Sequence, residues 1–280
     1  MPSAPVLLRC RDKTVDLTHP VVMGVVNVTP DSFSDGGRFF DTEAAVRQGL
    51  RMAEEGAAFI DVGGESTRPG AEPVGIEEEL RRVVPVIEAL AGATGAVVSV
   101  DTSKPEVMRA AAAAGAGLIN DVRALREPGA LETVQRSSCA VCLMHMQGEP
   151  RTMQAAPAYQ DVVGEVRAFL DERAKVCRTA GFSADRLVLD PGFGFGKTLE
   201  HNLALLRHLG ELGVDGLPLM VGLSRKSMVG KLTGRLEGER LLGSVVLAAM
   251  AALAGARIVR AHEVAATVEA LRVVAAVRES

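Results

Sequence analysis

The sequence predicts an α/β fold, a single (β/α)8 TIM barrel with a short N-terminal β-hairpin closing the bottom, and three observations lead there. A short apolar or β-branched run followed by an amphipathic segment recurs about every thirty residues, the rhythm of repeated βα units rather than of sandwich strands. Eight such units follow one another without a break in composition, which favours a closed barrel over an open doubly wound sheet. The hydrophobic residues make up 48% of the chain, yet they include one Tyr, no Trp and eight Phe. A core of Val, Leu, Ile, Ala and Met suits a parallel sheet covered by helices. At 280 residues the whole chain, 1–280, fits one such domain.

Residues 6–17 alternate in polarity and predict the hairpin. Strands are expected at 21–28, 59–62, 97–101, 118–122, 140–145, 187–190, 217–222 and 257–261. Helical patterns follow at 42–55, 76–90, 105–114, 129–135, 162–179, 199–212, 239–253 and 264–277, the one at 129–135 being the weakest. Two Gly/Pro/Ser-rich stretches, 29–37 and 63–75, follow the first two strands, where barrel enzymes place active-site loops. Glu77, Glu78 and Glu79, followed by Arg81 and Arg82, read as a solvated helix face with i, i+3 and i, i+4 pairing.

A formal charge of −4 argues against nucleic acid or an anionic membrane surface as partner. The N-terminal segment has Arg9 and Arg11 but no apolar h-region, so a cytoplasmic location is expected. The near-apolar stretch 245–256 is too short to span a bilayer and reads as a buried helix. Cys10, Cys139, Cys142 and Cys177 are expected to be free, buried thiols. Cys139 and Cys142 fall in a strand, where i and i+3 point to opposite faces, so a metal or redox site is not expected there.

In a barrel of this kind the reactive residues sit at the carboxyl ends of the strands. In this sequence those ends carry Asn27, Asp61 with Glu65, Asp101, Asn120 with Asp121, His145, Asp190, the run from Ser224 to Ser227, and Arg260 with His262. Any one of them could serve as a cap or turn residue. Together they have a chemical logic. Carboxylates and an amide at Asp101, Asn120 and Asp190 suit the edge of a nitrogen heterocycle bearing an amino group and a lactam. Lys226, Arg260 and His262 put positive charge after the last two strands, where barrels often bind phosphate. The glycine-rich 192–198 (GFGFGKT) lacks the first glycine of a phosphate loop, which would have to stand at Pro191, and no ATP site is expected. His145, between Met144 and Met146, reads as a satisfied core or rim histidine, since nothing beside it needs activation as a nucleophile.

Five segments, 27–37 (NVTPDSFSDGG), 64–70 (GESTRPG), 99–102 (SVDT), 190–195 (DPGFGF) and 222–227 (GLSRKS), resemble the signature segments of the dihydropteroate synthases. The resemblance runs in order from about residue 21 to 274, and ordered multi-segment matches are far more specific than one short motif. It implies that Asp101, Asn120, Asp190 and Lys226 hold a pterin. It implies that Asn27, Thr67, Arg68, Arg260 and His262 handle a diphosphate and its Mg²⁺, Asn27 being the metal ligand. Phe33 and Pro69 would wall an aminobenzoate pocket with Ser227 near its carboxylate, and Asp35 would approach the metal or substrate.

The implied reaction condenses a dihydropterin methyl diphosphate with 4-aminobenzoate, by ionisation at the pterin methyl carbon and capture by the arylamine. Asn27, Arg68, Asp101, Lys226 and Arg260 would be its catalytic residues. Arg260, as a diphosphate clamp, is expected to be removable with the fold intact. A homodimer through the helix near 241–253 is a further implication. Glu263 departs from the family pattern, where Asp is more usual after the histidine, and could shift a hydrogen bond to His262. Two other readings compete: a corrinoid-linked methyltetrahydrofolate methyltransferase, and a non-catalytic pterin-binding paralogue. The complete SF and TRP loops and the charges at Arg68, Lys226 and Arg260 weigh against them.

Overall fold

The computed structural model describes residues 5–28, 38–66, 72–149 and 152–279. Strands β1 (Leu7–Cys10) and β2 (Lys13–Asp16) form an antiparallel hairpin with Leu7 opposite Asp16. The chain then alternates β3 (Val21–Asn27), α1 (Arg38–Glu54), β4 (Phe59–Gly63), α2 (Ile76–Ala93), β5 (Val97–Asp101), α3 (Pro105–Ala114), β6 (Leu118–Asp121), α4 (Ala130–Ser137), β7 (Ala140–Met144) and α5 (Val162–Thr179). It ends with β8 (Leu187–Asp190), α6 (Leu199–Arg207), β9 (Met220–Gly222), α7 (Ser227–Thr233), α8 (Leu241–Leu253), β10 (Ile258–Ala261) and α9 (Val264–Glu279). The parallel strands run β8-β7-β6-β5-β4-β3-β10-β9, and a single bridge between Leu189 and Leu219 joins the two ends into a nearly closed barrel.

Local chemistry accounts for the boundaries. Helix α3 begins with Pro105 at its first position, where a missing N–H costs nothing, and ends on Gly115 at φ 114°, a left-handed cap that glycine adopts without penalty. Strand β9 starts at Met220 rather than at residue 217 because Pro218 has no N–H to give the ladder; only its carbonyl is used, by the Leu189 N–H at 3.0 Å. The helix expected over 199–212 breaks at His208 and continues as a tighter 3₁₀ turn, Leu209–Leu212. His201 is only partly exposed and completes a capping box with Thr198 at the start of α6. Helix α7 was not foreseen; its seven residues include Gly230 and stop at Gly234, so helical periodicity is barely expressed.

Two apolar layers result. One fills the space between strands and helices. The other lies inside the amino end of the barrel, where Met23, Phe59, Val97, Leu118, Cys142, Val188, Met220 and Ile258 meet Leu8, Cys10 and Leu17 of the hairpin segment. The hairpin therefore seals the bottom by burying its own apolar face. Arg257 anchors this end by donating to the Thr18 carbonyl. All four cysteines are free and buried, and Cys139 and Cys142 fall in different layers as the strand period requires. Among the described residues no helix is long and apolar enough to cross a membrane.

Candidate active site

Strand register brings the polar residues together at the carboxyl end. Asn27 pairs with Gly63, Gly63 with Asp101, and Asp101 with Asn120, so these four form one rung across β3, β4, β5 and β6. A β-carbon at Gly63 would lie 3.6 Å from Asn27 Oδ1 and 3.7 Å from the Asp101 side chain, which places Asn27 beside Asp101 with only a glycine between them. Arg260 pairs with Gly222 on the neighbouring strand. A β-carbon at Gly222 would lie 3.7 Å from Lys226 Nζ and 3.9 Å from Arg260 Cβ. The two glycines thus leave open floor between the charged groups.

Arg260 is the hub. Its Nε donates to Asp61 Oδ2 at 2.7 Å and its Nη2 to Asp101 Oδ2 at 2.9 Å. Asp61 is fully buried and also accepts from Ser99 Oγ at 2.6 Å and from Asn120 Nδ2 at 3.0 Å. Burial alone would lower the guanidinium pKa, but the carboxylates of Asp61 and Asp101 outweigh it and raise it. Burial raises the Asp101 carboxyl, against the pull of Arg260. Removing Arg260 would leave two buried carboxylates without their cation, so its loss is expected to cost stability as well as ligand binding. Among the described residues Nη1 of Arg260 carries no hydrogen bond, and it is the nitrogen open to a ligand.

Asn120 is half satisfied: its amide donates to Asp61, while its Oδ1 is buried with no hydrogen-bond partner among the described residues. A buried acceptor without a donor is costly unless a ligand supplies one. Asp190, at the end of β8, accepts from the Gly192 N–H at 2.7 Å, so it caps its turn and also faces the mouth. Burial raises its carboxyl, with Lys226 opposing. Gly192 has φ 69° and a β-carbon there would stand 1.8 Å from the His145 carbonyl oxygen, so only glycine fits.

Lys226 Nζ donates to the Phe193 carbonyl and lies 4.7 Å from the centre of the Phe195 ring. The side chain still touches solvent at the mouth, but burial against this loop outweighs the attraction of Asp190 and pushes its pKa down to about 8. Phe195 packs with Val122, Met144, Met146 and Met153 into a separate apolar cluster at this end, a wall against which a flat ring can lie.

On the opposite side Ser224 Oγ lies 2.9 Å from His262 Nδ1 and donates to Glu263 Oε2 at 3.2 Å, while Arg225 pairs with Glu263. Glu263 thus reaches His262 through Ser224. Ser227 is exposed at the first position of α7. Phe33, Asp35, Thr67, Arg68 and Pro69 lie outside the described residues. Among the described residues no cluster of three or more His, Cys, Asp or Glu is arranged to hold a metal. One neutral oxygen, Asn27 Oδ1, fits an ion that takes most of its ligands from phosphate and water.

Sequence reasoning missed several of these residues. Asp61, although it stands among the strand-end residues, and Ser99, although it opens a signature segment, carry no role in the sequence reading, yet their strand positions face inward by the same period that selects Asp101. Met144, Met146 and Phe195 are apolar and carry no motif of their own. Glu79 is corrected outright: it is fully buried and pairs with Lys104, which also pairs with Glu65 at the stem of the second loop. A lysine from the next strand's loop decides its burial, and helix periodicity does not report that.

A family model described as "Pterin binding enzyme" matches residues 23–262. The dihydropteroate synthase of Escherichia coli K12 is 55% identical over 263 residues, covering 94% of this chain and 93% of its own. The solved structure of Xanthomonas albilineans dihydropteroate synthase with 4-aminobenzoic acid superposes with a TM-score of 0.94 at 55% identity, covering 99% of this chain and all of the other. The same enzyme in complex with 7,8-dihydropteroate gives 0.89 at 53% identity, covering 98% and 99%.

Proposed function

We propose how the mouth of the barrel works from the premise that this chain belongs to the pterin-binding enzyme family and, within it, to the dihydropteroate synthases. It is a transferase that joins 4-aminobenzoate to a dihydropterin methyl diphosphate, giving 7,8-dihydropteroate and pyrophosphate. The observation that carries the pterin reading is the rung of Asp101 and Asn120 with its unpartnered Asn120 Oδ1, which asks for an N–H donor from a flat heterocycle.

The carbon–oxygen bond between the pterin methyl group and the diphosphate breaks, and its electron pair leaves with the diphosphate. The arylamine nitrogen then attacks the methyl carbon and loses a proton to solvent or pyrophosphate. Asp101, Asn120, Asp190 and Lys226 hold the pterin, and the two carboxylates face a ring that gains positive charge in the transition state. Arg260 Nη1, His262, Thr67 and Arg68 take the departing diphosphate. Asn27 would hold Mg²⁺, which when bound would supply positive charge to the diphosphate oxygens. Phe33, Pro69 and Ser227 position aminobenzoate. The charges a non-catalytic paralogue would be expected to lose, Lys226 and Arg260, are present and engaged.

A homodimer through α8 is part of this reading. Leu242, Val246, Met250 and Leu253, spaced i, i+4, i+8 and i+11, are 75%, 48%, 50% and 54% exposed and make one apolar stripe. Light scattering at twice the chain mass would support it, and a monomer would remove it. A cytoplasmic location is supported by four buried, unpaired thiols. The activity is tested by following dihydropteroate chromatographically with and without 4-aminobenzoate in the presence of Mg²⁺. Aminobenzoate-dependent product is expected; pterin binding without product would favour the paralogue.

A further inference from the structure

Lys197 is nearly fully buried, and among the described residues no carboxylate bonds to it. Its Nζ lies 2.9 Å from His145 Nδ1 and donates to the carbonyls of Gly192 at 2.9 Å and Phe195 at 3.0 Å. Burial, with the Lys197 charge second, pushes the His145 imidazole down to about 3, so the ring is neutral. Burial pushes Lys197 itself to about 7, against the pull of Asp190. Either protonation state keeps every contact. An ammonium donates three times, to Nδ1 and two carbonyls, and an amine donates twice and accepts from Nδ1–H.

The loop needs such a fastener. From Gly192 to Gly196 its backbone lies directly on the end of β7: a β-carbon at Gly192 would meet the His145 oxygen at 1.8 Å, and one at Gly196 would meet the Gln147 oxygen at 2.4 Å. With no side chains between the two backbones, the inward carbonyls have no ladder partner; that of Gly192 accepts the Phe195 N–H of its own turn at 3.1 Å, and Lys197 adds a donor to it and to the Phe195 carbonyl. On the other side of the same loop the Phe193 carbonyl receives Lys226, and the Phe195 ring lies beneath its Nζ. A β-carbon at Gly194 would sit 3.2 Å from Lys226 Cδ, so the lysine stem crosses the loop there.

We propose that Lys197 is a positioning residue for the pterin subsite: it ties the loop after Asp190 to His145 from behind and thereby fixes Phe195 and Lys226 in front. The inference rests on the reading of this mouth as the pterin site. Lys197 itself touches no reacting atom, and its glycine-rich context serves this internal bond rather than a phosphate.

The test compares wild type with Lys197→Met, which keeps the stem and removes the donors, and with Lys197→Gln, which restores one donor group. Affinity for dihydropterin methyl diphosphate is measured by titration, and the KM for 4-aminobenzoate at saturating pterin. Lys197→Met is expected to weaken pterin binding by about tenfold or more, as loosely held site groups do, with the aminobenzoate KM changed less than about twofold and Lys197→Gln in between. Unchanged pterin affinity, or equal losses for both substrates, overturns the inference. If Lys197→Met does not fold, Lys197→Gln is held to the same split. Absence of pterin binding by wild type would instead remove the underlying reading.

Discussion

At the amino end of the barrel the inward side chains are Met23, Phe59, Val97, Leu118, Val188, Met220 and Ile258, whereas two or four residues further along the same strands they are Asn27, Asp61, Asp101, Asn120, Asp190, Gly222 and Arg260. The strand period of two keeps both sets facing inward. The first set gains stability by losing contact with water. The second costs desolvation that ion pairs and hydrogen bonds offset only in part, which is why Asn120 Oδ1 is left waiting and the carboxyls of Asp101 and Asp190 are raised. One set of strands thus separates what holds the fold from what meets the ligand by a step of a few residues.

The sharpest way to break this comparison is Arg260→Ala, because Arg260 belongs to both accounts. It should abolish turnover and also cost about 3–5 kcal/mol in urea unfolding, since Asp61 and Asp101 lose their shared cation. A variant of full stability would show that the mouth carries no fold energy. Next in size is Leu8→Ala in the sealing hairpin, which should cost about 2–5 kcal/mol and leave kcat/KM unchanged at temperatures where it is folded. Lost turnover in folded protein would contradict the separation.

Lys226 sharpens the comparison through pH. It is protonated below about 8 and gives up its proton as pH rises through that value, far below its ordinary 10.5. Pterin affinity should therefore fall about tenfold per pH unit above 8, and Lys226→Arg should lack that limb. Stability runs the other way: the penalty of a desolvated charge is present below pH 8 and is relieved as pH rises from 8 towards 10.5. The smallest effect is expected from Arg9→Ala. Arg9 pairs with Asp185 at 3.0 Å with both side chains over 40% exposed, so unfolding should register less than about 1 kcal/mol. A larger loss would mean that charge, rather than the buried Leu8 and Cys10, attaches the hairpin.

The alternation of apolar strands with amphipathic helices was legible because it depends on neighbours in sequence; β8, α3 and α5 fall where periodicity alone puts them. The strand-end residues were legible for the same reason. What was not legible depends on distant partners. Asp61 takes its meaning from Arg260, 199 positions away, and Glu79 from Lys104. Lys197 sits in an incomplete phosphate motif in sequence, while its partner His145 lies 52 positions upstream and 2.9 Å off. Helix α7 escaped because seven residues with an internal glycine hardly express a period.

The most direct test of the division of labour is calorimetric titration of dihydropterin methyl diphosphate into Asp190→Asn. The amide keeps an oxygen for the Gly192 N–H, so the melting temperature should be preserved while the charge facing the ligand is lost. The account predicts affinity weaker by about tenfold or more in a protein as stable as wild type. Unchanged affinity, or a loss of affinity that merely tracks a loss of stability, would contradict it.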